Sequence, residues 1–348
     1  MNKKGISTTI ITVAIIIIIV VAAVTVYYFT LPEETDAPKI GLITGTGGLG
    51  DKSFNDISEA GVIRARDELG IEYDVAQPTA ISEYEGFQRE YAKSGEYELI
   101  ICVGFDQGEA LTVVSQEYPE QNFALVDMVV EEVNVASLLF RSNEASFLVG
   151  AAAGMMTETG KVGFVGGMDI DLINDFYVGY KAGVLWANPE ATVLEPVYVG
   201  AWTDLTKGKE VAKSLADLGV DGIYVVAGRS GLGALDAVSE EDILGFGVDA
   251  CQCYLYTENI PVSMTKRVDI AVYEMIKAAI EDTFVGGIYN KGLEDEWVGI
   301  CRLPQEEGFW EDEFNFTHPP LETEVENKIV DARIKIISEE IIPPTVYG

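Results

Sequence analysis

Basic residues are scarce in this sequence of 348 residues. It contains 23 lysines and arginines against 57 aspartates and glutamates, which gives a net charge of −34 at pH 7. A chain this acidic repels phosphate groups, and the sequence holds no basic stripe that would bind a nucleic acid backbone. DNA and RNA are therefore excluded as partners, and phosphorylated small molecules are disfavoured as ligands.

Histidine and cysteine are also scarce, which argues against a metal centre. The only histidine, His318, lies far along the sequence from Cys251 and Cys253. Cys-x-Cys by itself is a weak metal-binding pattern, so we predict no metal site. A disulfide from Cys251 or Cys253 to Cys301 is an alternative that the sequence does not decide. Cys102 lies in an apolar run and is expected in the core.

The single histidine leaves little for hydrolytic catalysis. Ser230 lies in Gly-Arg-Ser-Gly-Leu, which is not the nucleophile motif G-x-S-x-G, and His318 lies in a proline-flanked segment. The glycines of residues 45–50 fit the dinucleotide pattern G-x-G-x-x-G, with Asp74 further along as the acidic residue. A dinucleotide-dependent oxidoreductase is therefore the enzyme alternative, although the helix is predicted to begin after Ser53 and not at the glycines. We predict a protein that is not an enzyme and has no cofactor.

Long hydrophobic runs are absent except at the N-terminus. Residues 10–29 carry no charge, and a helix of about 20 residues crosses a hydrocarbon core of about 30 Å. Lys3 and Lys4 are expected to stay in the cytoplasm. We predict a leader over 1–9, a transmembrane anchor over 10–29, a polar linker over 30–38 and an extracytoplasmic remainder. The leader is also similar to prepilin-type leaders, which are cleaved after a glycine such as Gly5.

The rest of the chain alternates strand-like and helical patterns, which predicts an α/β fold of parallel sheets covered by helices. The strand-like runs lie at 39–43, 73–76, 99–103, 123–126, 161–165, 192–199, 222–226 and 243–248. The run 39–45 is echoed by 161–167. Two similarly built, doubly wound lobes are therefore expected.

Candidate binding residues follow these strands, because ligands of open α/β sheets bind beyond the carboxyl ends of the strands. The first such segment is a glycine-rich turn that opens a helix, with Ser53 as its predicted N-cap. In the first lobe the residues after the strands are Asp51, Phe54, Asn55, Gly104, Phe105 and Asp127. In the second lobe they are Asp169–Phe176, Trp202, Asp204, Gly228, Arg229, Ser230 and Asp249. We expect them to face one crevice.

Five ordered motifs resemble the basic membrane protein family. They are Asp51–Asn55, Gly163–Met168 with Phe176–Tyr180, Gly200–Asp204, Gly247–Asp249 and Ser263–Arg267. The family resembles purine nucleoside receptor lipoproteins, the substrate-binding components of ABC importers. The resemblance implies a type I periplasmic-binding fold of two hinged lobes that close on a nucleoside. The implied lobes are 39–143 plus about 264–292, and 144–263 plus about 293–348. The implied partner is an ABC permease, and a monomer is expected.

The resemblance also implies roles for single residues. Phe54 stacks on one face of the base, and Trp202 on the other, with Phe176 as the alternative partner. Asp249 and Lys266 bind the ribose hydroxyls, while base or sugar edges are reached by Asp51, Asn55 and Asp127. This chemistry suits a nucleoside, which is flat, uncharged and carries a vicinal diol. A sensor ectodomain for another small molecule, whose closed state a membrane partner detects, is the alternative function.

Overall fold

The computed structural model describes Val21, residues 37–306 and residues 308–347. Among these residues, no helix is both long and apolar enough to span a membrane. The predicted leader and anchor, and the linker up to residue 36, lie outside the described residues except for Val21. From Lys39 onward, strands and helices alternate, so the predicted α/β class with parallel sheets is confirmed.

The first sheet has six parallel strands. Their order is β12-β5-β4-β3-β1-β2, and β1 pairs with both β2 and β3 through Ile40, which lies beside Tyr73 and Leu99. The strands are β1 (Lys39–Ile43), β2 (Glu72–Ala76), β3 (Leu99–Val103), β4 (Phe123–Val126), β5 (Val135–Phe140) and β12 (Gly287–Lys291). The helices between them are α1 (Phe54–Leu69), α2 (Tyr84–Ser94) and α3 (Gly108–Glu117).

The second sheet repeats this arrangement. Its order is β13-β11-β10-β9-β6-β7, with β8 also paired to β6, and only β13 runs antiparallel to its neighbour. The strands are β6 (Lys161–Gly166), β7 (Thr192–Val193), β8 (Val197–Tyr198), β9 (Gly222–Val226), β10 (Leu244–Gly247), β11 (Val262–Lys266) and β13 (Val298–Ile300). The helices from Ser142 onward are α4 (Ser142–Met156), α5 (Asp171–Ala187), α6 (Leu205–Ala216), α7 (Gly228–Glu240), α8 (Val268–Ile280), α9 (Phe309–Phe314) and α10 (Thr323–Ile337). Of these, α8 packs against α1 on the first sheet.

Helices cover both faces of the first sheet. Ile40 and Leu42 point into the cluster that α1 and α8 help to cover, whereas Ile43 belongs to a separate cluster beneath α2 and α3. This alternation is expected because successive side chains of a strand point to opposite faces. The near-continuous apolar sequence of β3 reflects burial on both faces.

The chain passes between the two sheets at three places, which lie side by side. β5 leads through Arg141 to α4, β11 leads through Arg267 to α8, and β12 leads through residues 292–297 to β13. The Arg141 amide donates to the Lys291 carbonyl at 2.9 Å, and the Arg267 amide donates to the Trp297 carbonyl at 2.8 Å. These hydrogen bonds hold the three connections side by side. The two sheets are therefore joined along one line, which we call the seam.

The position of Lys266 in the secondary structure differs from what its sequence pattern suggests. The apolar periodicity from 266 to 280 is compatible with a helix that starts at Lys266. In the structure Lys266 is the last residue of β11, and α8 begins at Val268. Lys266 therefore lies at the carboxyl end of a buried strand and its side chain is 2% exposed, so it is not a solvated helix start.

Candidate functional site

A cleft lies between the two sheets at the carboxyl ends of β1, β3, β4, β9 and β10. It brings together most of the residues that the sequence selected, namely Asp51, Phe54, Asn55, Gly104, Phe105, Asp127, Phe176, Trp202, Gly228, Arg229, Asp249 and Lys266. Asp169, Asp204 and Ser230, which also follow strands, do not line it. It is also lined by Thr46 and Asp106, which were not selected. The rule that ligands bind beyond strand ends thus correctly places the cleft.

Asp51 holds the turn that begins α1. Its carboxylate accepts hydrogen bonds from the amides of Ser53, Asn55 and Asp56 at 2.9–3.2 Å. It also accepts from Asn55 Nδ2 at 2.9 Å. Asp51 thus does the capping that was predicted for Ser53, whose side chain makes no capping bond. Burial raises the pKa of Asp51, and the amide donors oppose that rise.

Asn55 joins the same turn to the end of β1. Its Oδ1 accepts from the Gly45 amide at 2.8 Å while its Nδ2 donates to Asp51. With these bonds the polar atoms of Asn55 and the carboxylate of Asp51 are engaged within the protein. Both residues line the wall of the cleft, and the direct ligand contacts that the resemblance implied for them stay a prediction. What this wall presents to the cleft is the half-buried ring of Phe54.

Lys266 forms a buried ion pair with Asp127 across the seam. Its Nζ lies 2.6 Å from Oδ1 and 2.5 Å from Oδ2 of Asp127, whose backbone is left-handed at φ 71° after β4. The ammonium group also lies 5.0 Å from the ring centroid of Phe54 and 5.7 Å from that of Phe176. Rings and carboxylate together compensate for the desolvation of this charge.

Asp249 contacts the opposite wall directly. Ser53 Oγ, which belongs to the turn before α1, donates to Asp249 Oδ2 at 2.5 Å. Burial raises the pKa of Asp249 to about 6, and the Lys266 charge and the Ser53 hydrogen bond limit the rise. The side chain is therefore ionised at neutral pH. Oδ2 accepts the hydrogen bond from Ser53. The nearby Lys266 charge favours the ionised carboxylate, whereas the charges of Asp51 and Asp127 oppose it.

Trp202 is held rigidly beside the second sheet. A Cβ atom on Gly167 would lie 2.2 Å from the indole, so only glycine lets the ring approach the backbone here. Ser230 fixes the loop around it, because its hydroxyl donates to the Ala201 carbonyl and accepts from the Asp204 amide, both at 2.8 Å. Trp202 stays half-buried and offers a face, whereas Phe176 is only 2% exposed.

Asp106 is the acidic residue that the sequence reading missed. It lines the cleft one position after Phe105, and its Oδ2 accepts from the Tyr84 hydroxyl at 3.0 Å. The same hydroxyl accepts from the Thr46 amide at 3.0 Å. Burial raises the pKa of Asp106, and the tyrosine bond opposes this. The available signal was its position just after β3.

A second cluster lies outside the cleft and brings together three cysteines and the histidine, whose spacing in the sequence offers no reason to group them. The Cys251, Cys253 and Cys301 sulfurs and a ring nitrogen of His318 all lie within 4.8 Å of one another. His318 is far away in sequence, but its Nε2 is 3.3 Å from Cys251 Sγ. None of these cysteines forms a disulfide in the structure, so the predicted alternative of a bridge to Cys301 is not observed.

The chain is similar to known substrate-binding proteins. The family described as ABC transporter substrate-binding protein PnrA-like matches residues 38–346. A lipoprotein of Pyrococcus abyssi, described as uncharacterised, is 36% identical over 286 residues, which cover 78% of this chain and 70% of that protein. Basic membrane protein A of Borreliella afzelii is 31% identical over 325 residues, or 89% of this chain and 93% of that protein.

A solved structure supports the same assignment. An ABC transporter solute-binding protein of Aeropyrum pernix matches with a TM-score of 0.77 and 31% identity, and the match covers 88% of this chain and 94% of that one. The resemblance to the basic membrane protein family is confirmed, since the family match extends over nearly the whole described chain. The chain therefore belongs to the family of PnrA-like ABC transporter substrate-binding proteins.

Proposed function

We propose that this substrate-binding protein binds a nucleoside, with a purine base preferred, and delivers it to an ABC permease. The observation that carries the proposal is the meeting of two half-buried rings, Phe54 and Trp202, with the buried carboxylate of Asp249 in one cleft. Flat aromatic ligands are held by stacking, and a vicinal diol is held by an ionised carboxylate. A nucleoside combines both features in one uncharged molecule.

The base would lie between Phe54 and Trp202. Phe54 projects from the capped turn of the first wall, and Trp202 projects from the loop that Ser230 holds. Phe176 was the alternative stacking partner, but its 2% exposure leaves little ring surface for a ligand. We assign it to the floor of the cleft, below the Lys266 ammonium group. Asp106 lines the same cleft and could accept a hydrogen bond from the edge of the base.

The ribose would lie against Asp249 and Lys266. Asp249 is ionised at neutral pH and can accept hydrogen bonds from both hydroxyls of the diol. Lys266 donates to Asp127 and can offer a further proton to a ribose oxygen. Ser53 already bridges the walls through Asp249, so a ligand at this point would contact both walls at once. Such a ligand stabilises the closed arrangement of two lobes joined by three connections.

The N-terminal segment would keep the protein at the cell surface. Residues 10–29 are uncharged and are preceded by Lys3 and Lys4, a pattern that places the N-terminus in the cytoplasm and the cleft outside. We propose a membrane-anchored monomer that holds its ligand beside the permease without changing it chemically. Detergent, and not salt, should release the full-length protein from membranes.

A thermal-shift screen of the full-length chain in detergent tests the ligand class. Protein stripped of bound small molecules is heated with inosine, guanosine, adenosine, uridine, free bases, ribose and nucleotides. Purine nucleosides should raise the midpoint most, because a ligand that binds only the folded state stabilises it. Nucleotides should bind less tightly because the chain is strongly acidic, although Arg229 at the rim offers them one cation. No shift with any nucleoside would refute the proposal.

A further inference from the structure

Four potential metal ligands converge next to the cleft. Cys251 Sγ is 3.3 Å from His318 Nε2, and Cys253 Sγ is 3.6 Å from Cys301 Sγ. A tetrahedral zinc site with bonds of about 2.3 Å to sulfur and about 2.0 Å to nitrogen has its ligand atoms about 3.5–3.8 Å apart. The observed separations, all within 4.8 Å, are close to that geometry.

The four side chains come from three separate parts of the chain. Cys251 and Cys253 lie in the loop after β10, and Cys301 directly follows β13. His318 lies between α9 and α10. Ser263 in β11 organises the cysteines, because its amide donates to Cys301 Sγ at 3.3 Å and its hydroxyl lies 3.6 Å from Cys253 Sγ. The convergence is thus built into the sheet edge.

His318 is oriented for coordination. Its Nδ1 is hydrogen-bonded to the Glu311 carboxylate, an arrangement that keeps the proton on Nδ1 and turns the Nε2 lone pair toward the cysteines. The side chain is 5% exposed. Arg302 fixes this segment by donating to the Pro319 carbonyl at 2.7 Å and to the Pro261 carbonyl at 2.9 Å. Metal-binding histidines are commonly supported by such carboxylates.

We propose that Cys251, Cys253, Cys301 and His318 bind one Zn²⁺ ion in a closed structural site. Three thiolates and one imidazole fill the four positions that tetrahedral zinc requires, and no position remains for a substrate. Binding releases three thiol protons and leaves the site with a net charge of −1, beside the Arg302 guanidinium. A single disulfide would use only two of the three sulfurs and would leave the histidine without a role.

The site would stiffen the loop that carries Asp249. Gln252 lies between the two cysteines of this loop, and its Nε2 donates to the Lys52 carbonyl on the opposite wall at 3.0 Å. Its Oε1 accepts from the Val248 amide at 3.0 Å. Zinc would therefore fasten the segment around His318 to the loop that closes the mouth of the cleft. This inference does not depend on the identity of the ligand.

Elemental analysis and X-ray absorption test the proposal on the full-length protein, purified in detergent without a polyhistidine tag. One zinc per chain is expected, and the absorption spectrum should show three sulfur neighbours at about 2.3 Å and one nitrogen at about 2.0 Å. Cobalt exchanged into the site should give the visible absorption of tetrahedral cobalt thiolate. Protein that stays free of zinc after incubation with Zn²⁺ while its thiols are reduced would overturn the proposal. A Cys253–Cys301 disulfide in native protein would also overturn it.

Variants separate coordination from folding. Cys251→Ser and His318→Gln should each lose the bound zinc, and Glu311→Gln should weaken zinc binding about 10- to 100-fold. Cys102→Ala is the matched control, since Cys102 is buried in β3 among core side chains and is not part of the cysteine–histidine cluster; it should keep one zinc per chain. Chelation should lower the melting temperature of the wild type and of Cys102→Ala, but not that of Cys251→Ser. Equal zinc content in all variants would contradict the assignment.

Discussion

The two walls of the cleft use their polar residues differently. On the first wall, Asp51 and Asn55 form hydrogen bonds within the turn before α1 and to the end of β1. The ring of Phe54 lines the cleft beside them. On the second wall, a rigid loop presents Trp202, while Asp249 keeps an ionised carboxylate at the cleft surface. Two aspartates that follow strands are thus expected to have different roles. The difference arises from their surroundings: Asp51 faces the free amides of a helix N-terminus, and Asp249 does not.

The largest effect is expected for the ion pair that joins the walls. Lys266→Met should lower the free energy of unfolding by about 3–5 kcal/mol, because it leaves the Asp127 carboxylate buried without its cation. Urea unfolding monitored by circular dichroism measures the loss. The control is Lys207→Met, which breaks an exposed pair with Glu210 and should cost at most about 1 kcal/mol. Similar costs for both would mean that the Asp127–Lys266 pair is not desolvated.

The next effect concerns the scaffold role of Asp51. Asp51→Ala leaves three amides at the start of α1 without their acceptor, and should cost about 1–3 kcal/mol of stability. It should also weaken binding of nucleoside and free base equally, because the ring of Phe54 moves with the turn. Asp221→Ala is the control, since Asp221 holds a loop remote from the cleft by accepting from Thr157, Glu158 and Thr159. That variant should lose stability but keep its affinity. If Asp51→Ala lost affinity for only one of the two ligands, the result would indicate a direct contact between Asp51 and that ligand.

Removing a stacking ring should have a smaller effect. Phe54→Ala and Trp202→Ala should each weaken both nucleoside and free base by about 1–3 kcal/mol, as expected for stacking of a base on a side chain. Phe176→Leu should change affinity less, since Phe176 forms the floor. Isothermal titration calorimetry compares the three variants. A loss in Phe176→Leu larger than that in Trp202→Ala would reverse the assignment of the stacking partner.

The smallest effect is a pH dependence from Asp249. Folding raises the pKa of Asp249 from 3.8 to about 6. Between pH 3.8 and about pH 6, Asp249 is therefore protonated in the folded state and ionised in the unfolded state. The stability that this group contributes is full below about pH 4 and is lost as pH rises to about 6. Nucleoside binding, which needs the ionised form, should instead weaken about tenfold from pH 7 to pH 5. Asp249→Asn should bind the nucleoside equally well at pH 7 and pH 5. The affinity of the wild type for the free base should not change between these pH values. An unchanged profile in Asp249→Asn would assign the titration to another group.

The cleft could be predicted because its signal is local in sequence. Buried parallel strands such as β1 and β3 are short apolar runs in the sequence. The glycine, polar or aromatic residues that follow each run show where the strand ends, and the cleft lies at these ends. The same reasoning misjudged Ser53, because Ser53 and Asp51 are both good capping residues and only the structure decides which one the amides reach. It also missed β11, whose sequence Val-Ser-Met-Thr-Lys is buried although three of its five residues are polar.

The cysteine cluster could not be predicted because its signal is not local. Cys301 approaches Cys253 only through the antiparallel pairing of β13 with β11, and β13 has just three residues. His318 approaches through a segment between two helices. The exposed edge strand β12 was missed for a related reason: Gly287–Lys291 is polar and carries no core pattern. Contacts between distant segments depend on topology, which a spacing rule for a single motif does not contain.

The most direct test of the central claim is calorimetry with a purine nucleoside and its free base on wild type and Asp249→Ala. Loss of hydrogen bonds to a charged group costs roughly 1.5–3 kcal/mol each, so the variant should bind the nucleoside at least about tenfold more weakly. Its affinity for the free base should stay within about twofold of wild type, since stacking does not involve Asp249. A variant that binds the nucleoside as tightly as wild type would contradict the proposed role of Asp249 in holding the ribose.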